Sequence, residues 1–463
     1  MAQRASASAA CAACLLGALV VLALPTPAAA FAGAAEQAAA AAAAARSSPP
    51  EAEEAAEEAR VYTIPLQKQY VPMMKATLAP SLRGVPSKAE KIIAYKTAYF
   101  GAVKVGDPVQ QSFTVVFDTG SGHLILPSTA CRSETCVKHR RYNRTVSASA
   151  LDIESDGTVI SPDAVERDQV SIAFGTGEVV GEFVREVVCL GEPGMDCVAL
   201  HVVLATEMTS DPFGLFAFDG VLGLGLDSLT LTPAFSFFHQ MFRQSSRVQP
   251  CFAVFLARRD GGESEISFGG HEARRASSDL TWAPVAQPEL GYWQVQLARV
   301  LIGDTPLEEC EDGSCLAIFD TGTSMLGVPR QTARTMHKLL ARAAKQDQGE
   351  DSSSIDCRGV PGHPITFEVA DANVTLTQEE YSRPTPFNMT VGNSSKSQLI
   401  CRSLLLPVDM GPPLGNKVFI WGEPVLRRYY TVYDLAKKRV GFTLAQEPEE
   451  GAQGLPAVGA PPP

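Results

Sequence analysis

The chain has 463 residues, with 39 Lys and Arg against 51 Asp and Glu and a formal net charge of −12. That length exceeds one ordinary domain and suggests two lobes. No basic run is longer than Lys138 to Arg141, so a nucleic-acid partner has no electrostatic footing.

Residues 1–30 read as a signal peptide: Arg4, the apolar core Cys14 to Leu24, then the small-residue run Ala28-Ala29-Ala30. The core is about half the roughly 20 residues that a membrane-spanning helix needs, so cleavage is expected over anchoring. No later stretch is apolar enough to span a bilayer, and no stable membrane anchor is expected. Residues 31–88 form a leader. Its first part, 31–59, is Ala-rich then Glu-rich and cannot bury a core. Its second part, VYTIPLQKQYVPMMKATL, alternates like a strand, has a basic tilt and is expected to be a separate prosegment.

From residue 89 the pattern becomes short β-branched and aromatic runs broken by Gly, Pro, Asp and Ser: TAYFGAVKV, QSFTVVFDTG, HLILP, QVSIAFGTGEVVGEFV, CFAVFL, EISFGG. Such spacing predicts an all-β body, with helices over 233–244 and 331–344. Residues 345–356 are expected to be an exposed loop, and 447–463 a disordered tail.

The body repeats itself. Thr114 to Ser121 reads TVVFDTGS and Leu316 to Ser324 reads LAIFDTGTS; each is followed by a second matched element, FDGVLGLGL from Phe218 and VFIWGE from Val418. A period this long implies two similar lobes rather than a solenoid. Their expected limits are 89–275 and 276–446.

Amide hydrolysis needs a base to activate water and an acid to protonate the leaving nitrogen. Two adjacent carboxylates supply both, because like charges that close cannot both ionise. Asp118 and Asp320 are the candidates. Gly120 and Gly322 would permit close approach of the turns, while Thr119, Ser121, Thr321 and Thr323 offer hydroxyls to hold the carboxylates. A lone Asp-Thr-Gly is usually a surface turn; two copies in matched apolar settings are not.

Eleven cysteines occur, two of them (Cys11 and Cys14) in the signal region, which leaves an odd number in the body. Secretion makes disulfides the default. No pair has zinc-site spacing, and neither metal nor cofactor is expected. Four sequons begin at Asn143, Asn373, Asn388 and Asn393.

The stretches YFGAVKVGDPVQQSFTVVFDTGSGHLILPS, SIAFGTGEVVGEF, FDGVLGLGL, ISFGG, GYWQVQL, AIFDTGTSMLGVP and RRYYTVYDLAKKRVGF stand in an order and spacing that resemble the pepsin and cathepsin D family of two-lobed aspartic proteases. The resemblance runs from about Tyr99 to Leu444. It implies a bilobal β fold whose cleft binds an extended protein or peptide substrate, in a monomer of the secretory route, extracellular or lysosomal. It implies Asp118 and Asp320 as the catalytic pair, Thr119 and Thr321 as bracing hydroxyls, and Ser121 and Thr323 bonded to the outer carboxylate oxygens. It also implies a β-hairpin flap with its tip at Phe174, Gly175, Thr176 and Gly177.

The family's usual flap Tyr is here Phe174, and its usual Trp partner is Ile125, so both polar groups are absent together and neither is left unpaired. The resemblance pairs Cys131 with Cys136, Cys310 with Cys315 and Cys357 with Cys401. Cys189 with Cys197 is an additional pair, and Cys251 is left as a buried free thiol or, alternatively, an intermolecular bridge. A silent peptide-binding member is the alternative to an active endopeptidase with an acidic optimum and a taste for hydrophobic residues around the scissile bond. Lys68 or Lys75 of the leader is expected to pair with the two aspartates at neutral pH.

Overall fold

The computed structural model describes residues 61–75, 92–161, 163–164, 166–175, 177–191, 197–245, 248–344, 355–390 and 397–447. The expected signal peptide, the run 31–59, residues 345–354 of the expected loop, and residues 448–463 of the tail lie outside them.

Twelve strands lead into the second lobe: β1 (Tyr62–Lys75), β2 (Ile92–Val105), β3 (Gln111–Asp118), β4 (Leu124–Pro127), β5 (Leu151–Ile153), β6 (Val170–Phe174), β7 (Gly177–Leu190), β8 (Cys197–Met208), β9 (Gly220–Gly223), β10 (Cys251–Phe255), β11 (Ser264–Phe268) and β12 (Thr281–Pro284). Most belong to one 14-stranded sheet that passes through both halves of the chain. Its order begins with β12, Arg439–Leu444, Tyr429–Asp434, β10 and β11, continues through β1, β2, β3, β9 and β4, and ends with β8, β7 and β5. A five-stranded sheet forms the heart of the second lobe: Gln294–Leu297, Cys315–Phe319, Val418–Trp421, Leu326–Pro329 and Leu405–Val408. The fold is all-β and bilobal.

The two sequence repeats occupy equivalent places. Val115–Asp118 pairs in parallel with Gly220–Gly223, and Leu316–Phe319 pairs in parallel with Val418–Trp421. Burial explains the composition: Val115, Val116 and Phe117 are all buried, so the end of β3 is covered on both faces and reads as a continuous apolar run. The lobes meet over aromatic packing, with Phe252 stacked on Tyr433 at 4.4 Å and Trp293 Nε1 donating to Leu224 O at 2.8 Å.

The first expected helix begins later, at Phe237–Gln244, because Ser236 caps it by accepting from His239 N–H, and Pro233–Phe235 forms a separate 3₁₀ turn. The second ends at Leu340, and Arg342–Ala343 turns into a short strand. In the leader segment, β1 is hydrogen-bonded into the large sheet between β11 and β2. Disulfides join Cys131 to Cys136, Cys189 to Cys197, Cys310 to Cys315 and Cys357 to Cys401. Cys251 is a free, half-buried thiol, and burial followed by the charge of Asp434 pushes its pKa up to about 11. Among the described residues no helix is long and apolar enough to cross a membrane.

Candidate active site

Asp118 closes β3, and Asp320 directly follows the strand Cys315–Phe319. The apolar run ahead of each carries its turn inward, to the boundary where the lobes face each other. There the glycines make the closest approach. A Cβ on Gly120 would lie 2.9 Å from Asp320 Oδ1, and one on Gly322 would lie 2.5 Å from Asp118 Oδ1. Any side chain would drive the carboxylates apart.

The threonines clasp each other across this boundary. Thr119 N–H donates to Thr321 Oγ1 and Thr321 N–H to Thr119 Oγ1, each at 3.0 Å. Each hydroxyl then donates to a carbonyl of the opposite lobe, Thr119 to Phe319 O at 2.8 Å and Thr321 to Phe117 O at 2.5 Å. The geometry fixes one turn against the other. Within its own turn, Asp118 Oδ1 accepts from Gly120 N–H at 2.9 Å, and Asp320 Oδ1 accepts from Gly322 N–H at 2.8 Å.

The outer oxygens break the symmetry. Thr323 Oγ1 donates to Asp320 Oδ2 at 2.6 Å, whereas the buried Oγ of Ser121 has no hydrogen-bond partner. The bond that the resemblance implies for Ser121 is therefore not made here. Its backbone is held instead, Ser121 O accepting from Gly225 N–H at 2.8 Å.

Burial, and next the negative charge of Asp118, raises the pKa of Asp320 well above the ordinary carboxylate range, against the opposing donors Thr323 and Gly322. Such a pair holds one proton where two separate carboxylates would hold none. Tyr292 lies in the field of both aspartates: burial first, then Asp320 and Asp118, raises its phenol pKa.

The pair opens onto a cleft of about 560 Å³. One wall is apolar and aromatic, built from Ala98, Ile172, Phe174, Phe213, Phe216 and Phe218; Tyr292, Met325 and Leu406 also line the cleft. Phe174 sets its edge on Phe213 at 5.6 Å, and Phe216 stacks on Phe218 at 5.2 Å. Ile125 is buried and also reaches the cleft. Of the expected flap tip, Gly175 lines the cleft with φ of 55°, Thr176 lies outside the described residues, and a Cβ on Gly177 would come within 2.6 Å of Pro212 Cδ, itself part of the cleft lining.

His123 is the one imidazole in DTGSGHLILP, and no local pattern singles it out. It lines the cleft, its Nε2 accepts from Leu231 N–H at 3.1 Å, and burial lowers its pKa to about 4. Lys68, expected to reach the aspartates, instead meets Glu423 Oε1 at 3.1 Å and Asp260 Oδ1 at 3.5 Å. These are charge contacts without hydrogen-bond alignment, since Lys68 Nζ has no geometric hydrogen-bond acceptor. The Lys75 side chain lies outside the described residues. Among the described residues no cluster of His, Cys, Asp and Glu could hold a metal ion.

A family model described as eukaryotic aspartyl protease matches residues 98–445. The chain is 31% identical over 387 residues to cathepsin E-A of Xenopus laevis, covering 81% of this chain and 86% of that protein. It is 30% identical over 361 residues to gastricsin of Homo sapiens, covering 75% of this chain and 81% of that protein. Cathepsin E of Rattus norvegicus is 30% identical over 353 residues, covering 75% and 80%.

Proposed function

The chain belongs to the eukaryotic aspartyl protease family, and from that premise we propose that Asp118 and Asp320 jointly activate a water molecule to hydrolyse peptide bonds in protein substrates. It is an aspartic-type endopeptidase of the pepsin-like kind; signal peptides, zymogen segments and glycosylation are typical of its family. The reading of the dyad is carried by one observation: two carboxylates on symmetry-related turns, with glycines in contact range of the opposite carboxylate and threonines clasped between them.

In this reading the ionised member of the pair takes a proton from water as the oxygen attacks the carbonyl carbon. The protonated member gives its proton to the carbonyl oxygen, and collapse of the tetrahedral intermediate passes a proton to the leaving nitrogen. The shared proton is the reason for a pH window. Below it both carboxyls are protonated and the base is lost; as pH rises through the raised pKa of Asp320 the acid is lost. An acidic to near-neutral bell follows. The aromatic wall supports a preference for hydrophobic side chains beside the scissile bond, since burying such a ring contributes about 1.5–3 kcal/mol.

The four disulfides and the family fit the secretory pathway; we assign the working compartment as extracellular or lysosome-like, and the working form as a monomer. Lobes of 89–275 and 276–446, a signal peptide over 1–30 and a leader over 31–88 complete the proposed organisation. Asp118→Asn and Asp320→Asn should each lower turnover of a denatured protein substrate by at least about a hundredfold, the scale of general acid–base effects, while the unfolding midpoint at neutral pH stays in place. Turnover above that level in either variant would refute the assignment.

A further inference from the structure

We infer that Lys96 is a specificity residue of the cleft, holding an acidic side chain of the substrate two residues along from the hydrophobic one that packs on the aromatic wall. This rests on the peptidase reading above and adds to it a class of substrate.

The cleft carries little charge besides its pair of aspartates. Among the described residues that line it, Lys96 is the one lysine or arginine, in a chain whose formal net charge is −12. The cation is a local exception in a field that otherwise repels acidic peptides. Lys96 belongs to β2, and its side chain is 18% exposed. Lysine carries its charge on a flexible four-carbon stem, so the head can follow a ligand.

Its acceptor in the protein is a weak one. Lys96 Nζ donates to Asp211 Oδ1 at 3.4 Å, longer than the roughly 2.7–2.9 Å of a close charge-assisted hydrogen bond. The Asp211 side chain is 51% exposed, so water competes for it. An ammonium has three donors, and a long bond to a solvated carboxylate leaves it able to take a second, closer acceptor.

The chain path puts this cation beside the wall. Asp211 leads directly into Pro212 and Phe213, both of which line the cleft, and Phe213 carries the edge contact with Phe174. Lys96 leads into Thr97 and Ala98, which line it as well. Both partners of the ion pair thus continue into the lining around the rings. A substrate bound in extended form shows alternate side chains to one face, about 6.6–7 Å apart. When one of them packs on Phe174 and Phe213, the side chain two residues away on that face comes to Lys96, and a carboxylate there meets the ammonium. The intervening side chain points to the other side. A neutral amide in the same place gains a bond only about half as strong.

The test uses the acid-matured enzyme and peptides with one Phe beside the cut, in which Glu or its neutral isostere Gln is moved one position at a time along the flanks. At about pH 5.5 a free glutamate is ionised. The ratio of kcat/KM for Glu over Gln is expected to reach about fivefold, the scale of a partly exposed ion pair, at one of the two positions that lie two residues from the Phe, and to shrink with added salt. Lys96→Met keeps the apolar stem and should abolish the preference, whereas Asp211→Asn removes the competing carboxylate and should widen it. A merely structural lysine would lower both peptides together and keep the ratio. A wild-type ratio in Lys96→Met therefore overturns the inference, as does a wild type with no preference for Glu at either position, or a ratio that Asp211→Asn narrows. The same Glu and Gln peptides, with a reduced and uncleavable bond at the cut, are also titrated against the protein by calorimetry. A several-fold tighter Kd for Glu that is lost in Lys96→Met upholds the role of Lys96 without any turnover, so an absence of cleavage would sink the peptidase reading alone; equal or unmeasurable affinities overturn the role of Lys96.

Discussion

At His123 a buried imidazole accepts a backbone N–H from Leu231, and protonation would turn that acceptor into a donor facing a donor. Its pKa falls from 6.5 to about 4 on burial. The unfolded chain therefore takes up this proton first. Between those two values the unfolded state binds more protons, so stability declines as pH falls from about 6.5 to about 4, and the effect vanishes above that window. The full shift corresponds to at most about 3 kcal/mol. His123→Asn keeps an acceptor for Leu231 and cannot titrate. Its denaturant midpoint should gain on wild type as pH falls through the window; parallel curves would remove His123 from the account. The unequal outer oxygens of the dyad predict an unequal pair of variants. Thr323 lowers the raised pKa of Asp320 by donating to it, so Thr323→Ala should move the basic limb of the rate profile to higher pH. Ser121→Ala, which removes an unpartnered hydroxyl, should leave that limb in place. Equal shifts in the two profiles would contradict the geometry. The sequence carried the residue types of this site but not this inequality, because the two turns differ by Ser against Thr and only packing decides which hydroxyl reaches its carboxylate.

The flap hairpin is the element where the chain is most individual. Phe174 ends β6, Gly175 turns with φ of 55°, and β7 returns from Gly177. A left-handed φ at the turn suits glycine, and the adjoining Phe174 lines the cleft. Phe174→Tyr adds a hydroxyl beside Phe213 in a cleft that Ile125 also lines, and neither residue offers a side-chain hydrogen-bond partner, so kcat/KM should not improve. Phe174→Ala should lower kcat/KM at least about tenfold, equivalent to roughly 1.4 kcal/mol, on substrates with hydrophobic residues at the cut. Unchanged kinetics in the alanine variant would show that the ring is no lid. The hairpin was expected from the family resemblance, and β6 and β7 pair accordingly. Its ring partner was not, since Phe213 arrives from another loop and no local pattern announces a contact that distant in the chain.

On the scale of the whole molecule, the all-β character and two-lobed plan were legible because each lobe repeats the same strand, turn and trailing apolar-Gly element. β1 shows the limit of such reading. Its alternation marked it as a strand, but partners are chosen by long-range pairing, and nothing local announces its place between β11 and β2. The order of the large sheet also constrains how the protein is made. β10 pairs with Tyr429–Asp434, and that strand pairs with Arg439–Leu444, near the end of the described chain. On the ribosome, β10 and β11 emerge long before these partners, so one edge of the sheet stays open through synthesis of nearly the whole second lobe. Such distant pairing makes for slow folding and a prolonged risk of association through the bare edge. The nascent chain would then depend on lumenal chaperones until its last strands arrive, and the N-terminal lobe would be a poor candidate for production by itself.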